Sequence, residues 1–155
     1  MVATYLGCYL LFFGFFRTYH WLYPKYSVMG ESMNPTFWEE EVVQVKAHHS
    51  PRRFDVVVLH PPNDPEALYL KRVVGLPGER LDYQDGQLFV NGKPVTDEFA
   101  EQTEDFVWEQ VSTALIPEDH YFVLGDNRAV SMDSRSFGFV SEKQILGIIK
   151  EGNSK

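Results

Sequence analysis

Hydrophobic and polar positions change their spacing near residue 30. Residues 1–16 carry no charged side chain and are dense in Leu, Phe and Tyr. As a helix this run would be about 24 Å long at ~1.5 Å per residue, short of the ~30 Å hydrocarbon layer of a bilayer. Extension to Tyr23 gives about 35 Å and takes in Arg17 and His20, whose polar ends could snorkel. Tyr19, Trp21 and Tyr23 suit an interfacial aromatic belt. The pattern predicts a short transmembrane anchor helix over residues 1–23. A buried amphipathic helix and a cleaved leader are the rival readings. The latter is weakened by the lack of a basic start and of a small-x-small site after Phe16.

Beyond residue 40 the spacing is that of strands. Glu41–Lys46 and Phe54–His60 are β-branched runs, and Pro61–Pro65 forms a turn. Leu68–Val74 predicts the next strand. Arg80–Tyr83 and Gln87–Val90 flank Asp85-Gly86, a hairpin signal, and Asn91-Gly92 marks a second turn. Tyr121–Leu124, Phe137–Val140 and Ile145–Ile149 complete the set. The acidic stretch 96–110 (Asp97, Glu98, Glu101, Glu104, Asp105 and Glu109 among Phe99, Phe106 and Trp108) reads as a solvated loop or edge hairpin. The body, residues 24–155, is thus expected to be one mainly β domain of antiparallel sheets.

Composition narrows the function. The formal charge of −8 over 155 residues argues against nucleic acid, which needs clustered Lys and Arg. It argues equally against a polybasic lipid attachment. The single cysteine, Cys8, allows no intrachain disulfide. The histidines His20, His48, His49, His60 and His120 are scattered, with no metal-ligand spacing. No metal and no cofactor are expected.

The candidate chemistry lies in three stretches: G-E-S-M-N-P-T (30–36), K-R-V-V-G-L-P-G-E (71–79) and G-D-N-R-A-V-S-M-D-S-R-S-F-G (125–138). A serine hydroxyl such as Ser32 is a poor nucleophile and needs a base within hydrogen-bond reach. No histidine here sits in a motif with an acidic partner. Lysine can serve if its pKa is lowered. At the ordinary value only about 1 in 2,500 is neutral at pH 7, and reaching about 8 costs roughly 3 kcal/mol, which burial can supply. Lys71 lies in the middle of an otherwise apolar strand. If it faces inward, Arg72 faces the other way.

These three boxes, in this order, resemble those of type I signal peptidases, most closely the small, single-anchor bacterial members. The resemblance implies a signal-peptidase-like β-fold, with Ser32 as nucleophile and Lys71 as general base. It further implies that Ser131 hydrogen-bonds and orients the lysine, and that Asp133 and Arg135 form a structural ion pair. Asp126, Asn127 and Arg128 would shape the turn, and Tyr26, Val28, Met33, Tyr69 and Leu70 would fall in the substrate-pocket region. Where some members carry a second hydroxyl oxyanion donor, this chain has Gly30, so the oxyanion would rest mainly on the Ser32 backbone N–H.

The activity implied is removal of signal peptides from exported preproteins after small-x-small sites. The implied location is a single pass through the cell membrane, with the catalytic domain on the extracytoplasmic face. Preprotein signal peptides, the lipid bilayer and the secretion machinery would be the partners. Charge alone points the other way on orientation, since Arg17 and Lys25 follow the span. Three alternatives stay open: a peptidase dedicated to one secretion or conjugation system, a self-cleaving repressor-type protease, and an idle peptide-binding domain.

Overall fold

The computed structural model describes residues 2–47, 49–100, 103–108 and 114–149. His48, Glu101 and Glu109 lie outside them. Helix α1 spans Val2–Leu22. From Tyr5 to Phe16 its large apolar side chains, among them Leu6, Leu10, Phe12 and Phe15, are exposed on all sides. Rings at i and i+4 meet along it, as in Tyr9–Phe13 and Phe12–Phe16. The helix reaches the body at its end, where Gln44 Nε2 donates to Tyr19 Oη at 3.4 Å. The expected transmembrane span needs correction. No helix among the described residues is long and apolar enough to cross a membrane. Tyr5, Tyr9, Arg17, Thr18, Tyr19 and His20 are the physical reason, because each lowers the mean hydropathy of the 21-residue helix.

The body is mainly β, in two antiparallel sheets. The larger runs β1-β2-β10-β3-β4-β8-β9, where β1 is Lys25–Ser27, β2 Val42–Ala47, β3 Val56–Leu59 and β4 Tyr69–Gly75. In the same sheet β8 is His120–Leu124, β9 Val140–Ser141 and β10 Ile145–Ile149. The smaller sheet is β5 (Leu81–Gln84), β6 (Gln87–Val90) and β7 (Lys93–Val95). Its two hairpins turn at Asp85-Gly86 and Asn91-Gly92, with all four residues at positive φ, as two-residue turns matching strand twist require.

Three apolar clusters hold these layers. Val28, Met33, Phe37, Val43 and Val45 pack beneath the Ser32 turn. Val57, Leu59, Val73 and Val123 pack around β3, β4 and β8. Tyr83, Leu88, Trp108, Ile116 and Phe122 join the smaller sheet to β8.

Two expectations fail. Phe137 ends a short helix, α2 (Ser134–Phe137), rather than opening a strand. Asp133 caps that helix, its carboxylate accepting from Arg135 N, and this local bond competes with strand formation. The acidic segment is also not simply solvated. Phe106 exchanges backbone hydrogen bonds with Tyr83, Trp108 is buried, and Asp97 lies under the surface. Its aromatic residues supply a core for the segment, while Glu98, Glu104 and Asp105 remain outside.

Candidate active site

The turn that carries Ser32 is pinned from below and from the side. Met33 and Phe37 sink into the core, and Phe37 N donates to Met33 O at 3.0 Å. Gly30 opens the turn at φ +79°, a conformation that disfavours any side chain there. From the side, Thr36 Oγ1 donates to Asp126 Oδ2 at 2.6 Å. Asn127 N donates to Ser32 O at 3.0 Å, and Asn127 Nδ2 to Glu31 O at 3.2 Å. The Ser32 hydroxyl itself is half-buried.

Strand β4 delivers the lysine. Lys71 pairs with Val57 of β3, and its side chain is 3% exposed. Its Nζ donates to Ser32 Oγ at 2.7 Å and to Leu70 O at 3.0 Å, and it sits 5.1 Å from the centre of the Tyr69 ring. Burial lowers its pKa from 10.5 to about 8, against the opposing pull of Asp133 and Asp126. About one lysine in ten is then neutral at pH 7, which makes it a usable base. Arg72, next in sequence, points away and makes a bidentate pair with Asp126 through Nε at 2.7 Å and Nη2 at 2.6 Å. Asp126 therefore joins the Lys71 strand to the Ser32 turn, a link that sequence reading did not foresee.

The third box folds back over both. Gly125 N donates to Asp133 Oδ2 at 3.1 Å, and Asp133 pairs with Arg135 through Nε at 2.9 Å and Nη2 at 2.8 Å. Gly125 is there because nothing larger fits: a Cβ would lie 2.2 Å from Ser131 Oγ and 2.5 Å from Ser32 O. Ser131 and the nucleophile's own carbonyl thus both lie beside Gly125. It does not hydrogen-bond Lys71, as the resemblance implied. Its buried Oγ has no partner among the described residues, and the lysine amine donates to Ser32 and Leu70 instead.

Beside the pair lies a groove of about 390 Å³ lined by Tyr26, Val28, Met29, Tyr69 and Leu70, with Lys71 and Ser32 at its floor. Met33 is not in its wall, because it faces the core beneath the turn. Among the described residues no cluster of His, Cys, Asp or Glu could hold a metal.

Fold and site together define a serine–lysine peptidase on a β-sheet scaffold. The chain belongs to the signal peptidase family, peptidase S26, which matches residues 2–151. It is 43% identical over 141 residues to signal peptidase I V of Bacillus subtilis strain 168, covering 81% of this chain and 83% of that one. To signal peptidase I of Bacillus amyloliquefaciens it is 36% identical over 143 residues, covering 84% and 76% of the two chains. The crystal structure of a signal peptidase I from Enterococcus faecalis V583 superposes with a TM-score of 0.60 at 35% identity. That match covers 66% of this chain and 98% of the other.

Proposed function

We propose that this signal peptidase cuts preproteins after small-x-small sites, with Ser32 as nucleophile and Lys71 as general base. The observation that carries the reading is the 2.7 Å contact between the Ser32 hydroxyl and a buried lysine whose pKa is lowered to about 8. Once Lys71 loses its proton, the direction of that bond reverses and the amine accepts the Ser32 hydroxyl proton. Ser32 Oγ then attacks the scissile carbonyl. The tetrahedral oxyanion is met by the Ser32 backbone N–H, which has no acceptor among the described residues. Lys71 passes its proton to the leaving amine, and the same amine activates the water that releases the acyl group.

The substrate lies extended in the groove between Ser27–Gly30 and Leu68–Leu70, adding a strand to the exposed backbone. Alternate side chains of such a strand face the wall, so small residues enter at every second position. Val28, Tyr26, Tyr69 and Leu70 limit their size. Asp133 with Arg135 braces the loop over the pair, and Ser131 fills the space that Gly125 leaves.

Residues 1–23 act as a membrane-seating helix and residues 24–155 as the catalytic domain on the extracytoplasmic face of the cell membrane. The support is the ring of exposed Leu, Phe and Tyr along α1, an apolar surface that water disfavours. Orientation near the membrane brings the groove to signal peptides that emerge there, next to the secretion machinery.

The test is cleavage of a preprotein with a small-x-small site in detergent or liposomes. Wild-type protein cleaves it, at a rate that rises with pH through about 8, and Ser32→Ala abolishes cleavage with the fold intact. Cleavage at the wild-type rate by Ser32→Ala, or an acid limb near 10, removes the assignment.

A further inference from the structure

The structure contains a second buried polar cluster that the mechanism does not use. Arg128 is 2% exposed, and its Nη2 donates to Asp97 Oδ2 at 2.9 Å. Its Nη1 donates to Thr103 Oγ1 and, at 3.3 Å, to Tyr83 Oη. Tyr83 Oη in turn donates to Asp97 Oδ2 at 2.6 Å, and burial pushes the phenol pKa up, so it stays a donor. Asp97 is fixed further by Phe99 N, which donates to Oδ1 at 3.1 Å. Asp97, Phe99 and Thr103 are therefore gathered around one guanidinium.

That guanidinium faces the catalytic loop. Arg128 Nε donates to Gly125 O at 2.8 Å, and Arg128 O accepts from Arg135 Nη2 at 2.7 Å. Gly125 is the residue pressed against Ser131 Oγ and Ser32 O, and its N–H is held by Asp133. The neighbouring Asn127 holds Ser32 O directly. Phe99 also lies against Arg72, 5.3 Å from the guanidinium to the ring centre, so the segment touches the base strand as well as the loop. None of Asp97, Phe99 and Thr103 lines the substrate groove.

We propose that Asp97, acting through Arg128, is a positioning residue for the Ser32–Lys71 pair: with Phe99 and Thr103 it clamps the loop that closes over them. This rests on the peptidase reading above. The carboxylate holds the guanidinium, the guanidinium holds the Gly125 carbonyl, and Asn127, two residues on, holds the nucleophile's carbonyl. Loosening the clamp lets the loop lift and water reach Lys71. The lysine also feels Asp126 and Asp133 from the loop and lies 5.1 Å from the Tyr69 ring centre on its own strand, whereas Arg72 points away to Asp126. Its burial outweighs the two carboxylates, so wetting it raises its pKa.

The test is steady-state cleavage of a preprotein by full-length Asp97→Asn in detergent, across pH 6–10. A kcat about tenfold lower at pH 7.5 is expected, with KM within about twofold and an acid limb moved upward from about 8. Thr103→Val, which keeps the charges, shifts the limb the same way by less, and serves if Asp97→Asn does not fold. An acid limb unmoved in whichever variants fold overturns the inference, whatever happens to the rate. So does a rise in KM as large as the fall in kcat. The Ser32→Ala control separates the two readings. Activity that survives it removes the dyad, whereas Ser32-dependent activity with an unmoved limb removes only the clamp.

Discussion

Lys71 and Arg128 are both basic, both nearly sealed from water, and treated oppositely by their surroundings. Arg128 meets a carboxylate, two hydroxyls and two carbonyls, so its charge is compensated group by group. Lys71 meets a hydroxyl and a carbonyl and no carboxylate within hydrogen-bond reach, although Asp126 and Asp133 act on it from further off. The same desolvation therefore has two results. A guanidinium with a complete set of acceptors stays charged and fastens one chain segment to another. An ammonium without a partner carboxylate gives up its proton more easily and can act as a base. Burial alone makes neither a base nor a brace: the intrinsic basicity of the head group and its neighbouring groups decide together.

The largest effect is expected from Lys71→Arg, which puts a cation that does not deprotonate in the base position. Cleavage should fall by more than about a thousandfold at every pH from 6 to 10, with no recovery in alkali. Recovery above pH 9 would break the contrast between the two cations. Arg128→Met tests the other side by leaving Asp97 buried without its counterion. A loss of about 3–5 kcal/mol in denaturant unfolding is expected. A loss below about 1 kcal/mol would mean that the pair braces little.

Lys71→Met should be inactive yet more stable than the wild type near pH 7, by up to about 3 kcal/mol less whatever its two lost hydrogen bonds supplied. Below about 8 the wild-type lysine is charged in both folded and unfolded chains, and the folded state carries the burial penalty. Between about 8 and 10.5 the unfolded chain holds the proton and the folded one releases it, so wild-type stability rises with pH across that window. The melting gap between the two proteins should accordingly close toward pH 10.5. A gap constant with pH contradicts a lowered lysine. The smallest effect is Ser131→Ala. A hydroxyl without a partner contributes little, so stability should change by less than about 1 kcal/mol and the cleavage rate by less than about tenfold.

Much of the site is written in local sequence. Gly30, Pro35 and Asn34 announce a turn around Ser32, and β-branched residues on both sides of Lys71 announce a buried strand. The Asp85-Gly86 and Asn91-Gly92 pairs fix two hairpins through their positive φ angles. These features depend on neighbours one to four residues away, which is the range over which backbone sterics and alternation act. Phe137 shows where that range ends. A strand-like run became a capped helical turn, because Asp133 found Arg135 N first. The acidic segment shows the limit from the other side: counting its charges suggested solvent, yet three aromatic residues and one paired aspartate drew it into the fold.

The sequence by itself determined that a serine in a turn, a lysine in an apolar strand and a polar loop would exist, and that an apolar helix rich in aromatic residues would precede them. Tertiary structure decided which groups meet. Asp126 ties Arg72 to Thr36 across 54 and 90 positions. Arg128 finds Asp97 across 31, and Lys71 finds Ser32 across 39. Such pairings follow from strand order and from the removal of water around particular atoms, and no spacing along the chain encodes them. Whether a buried lysine keeps its proton is settled only there, by how far the fold strips it of water and which carboxylates it brings near.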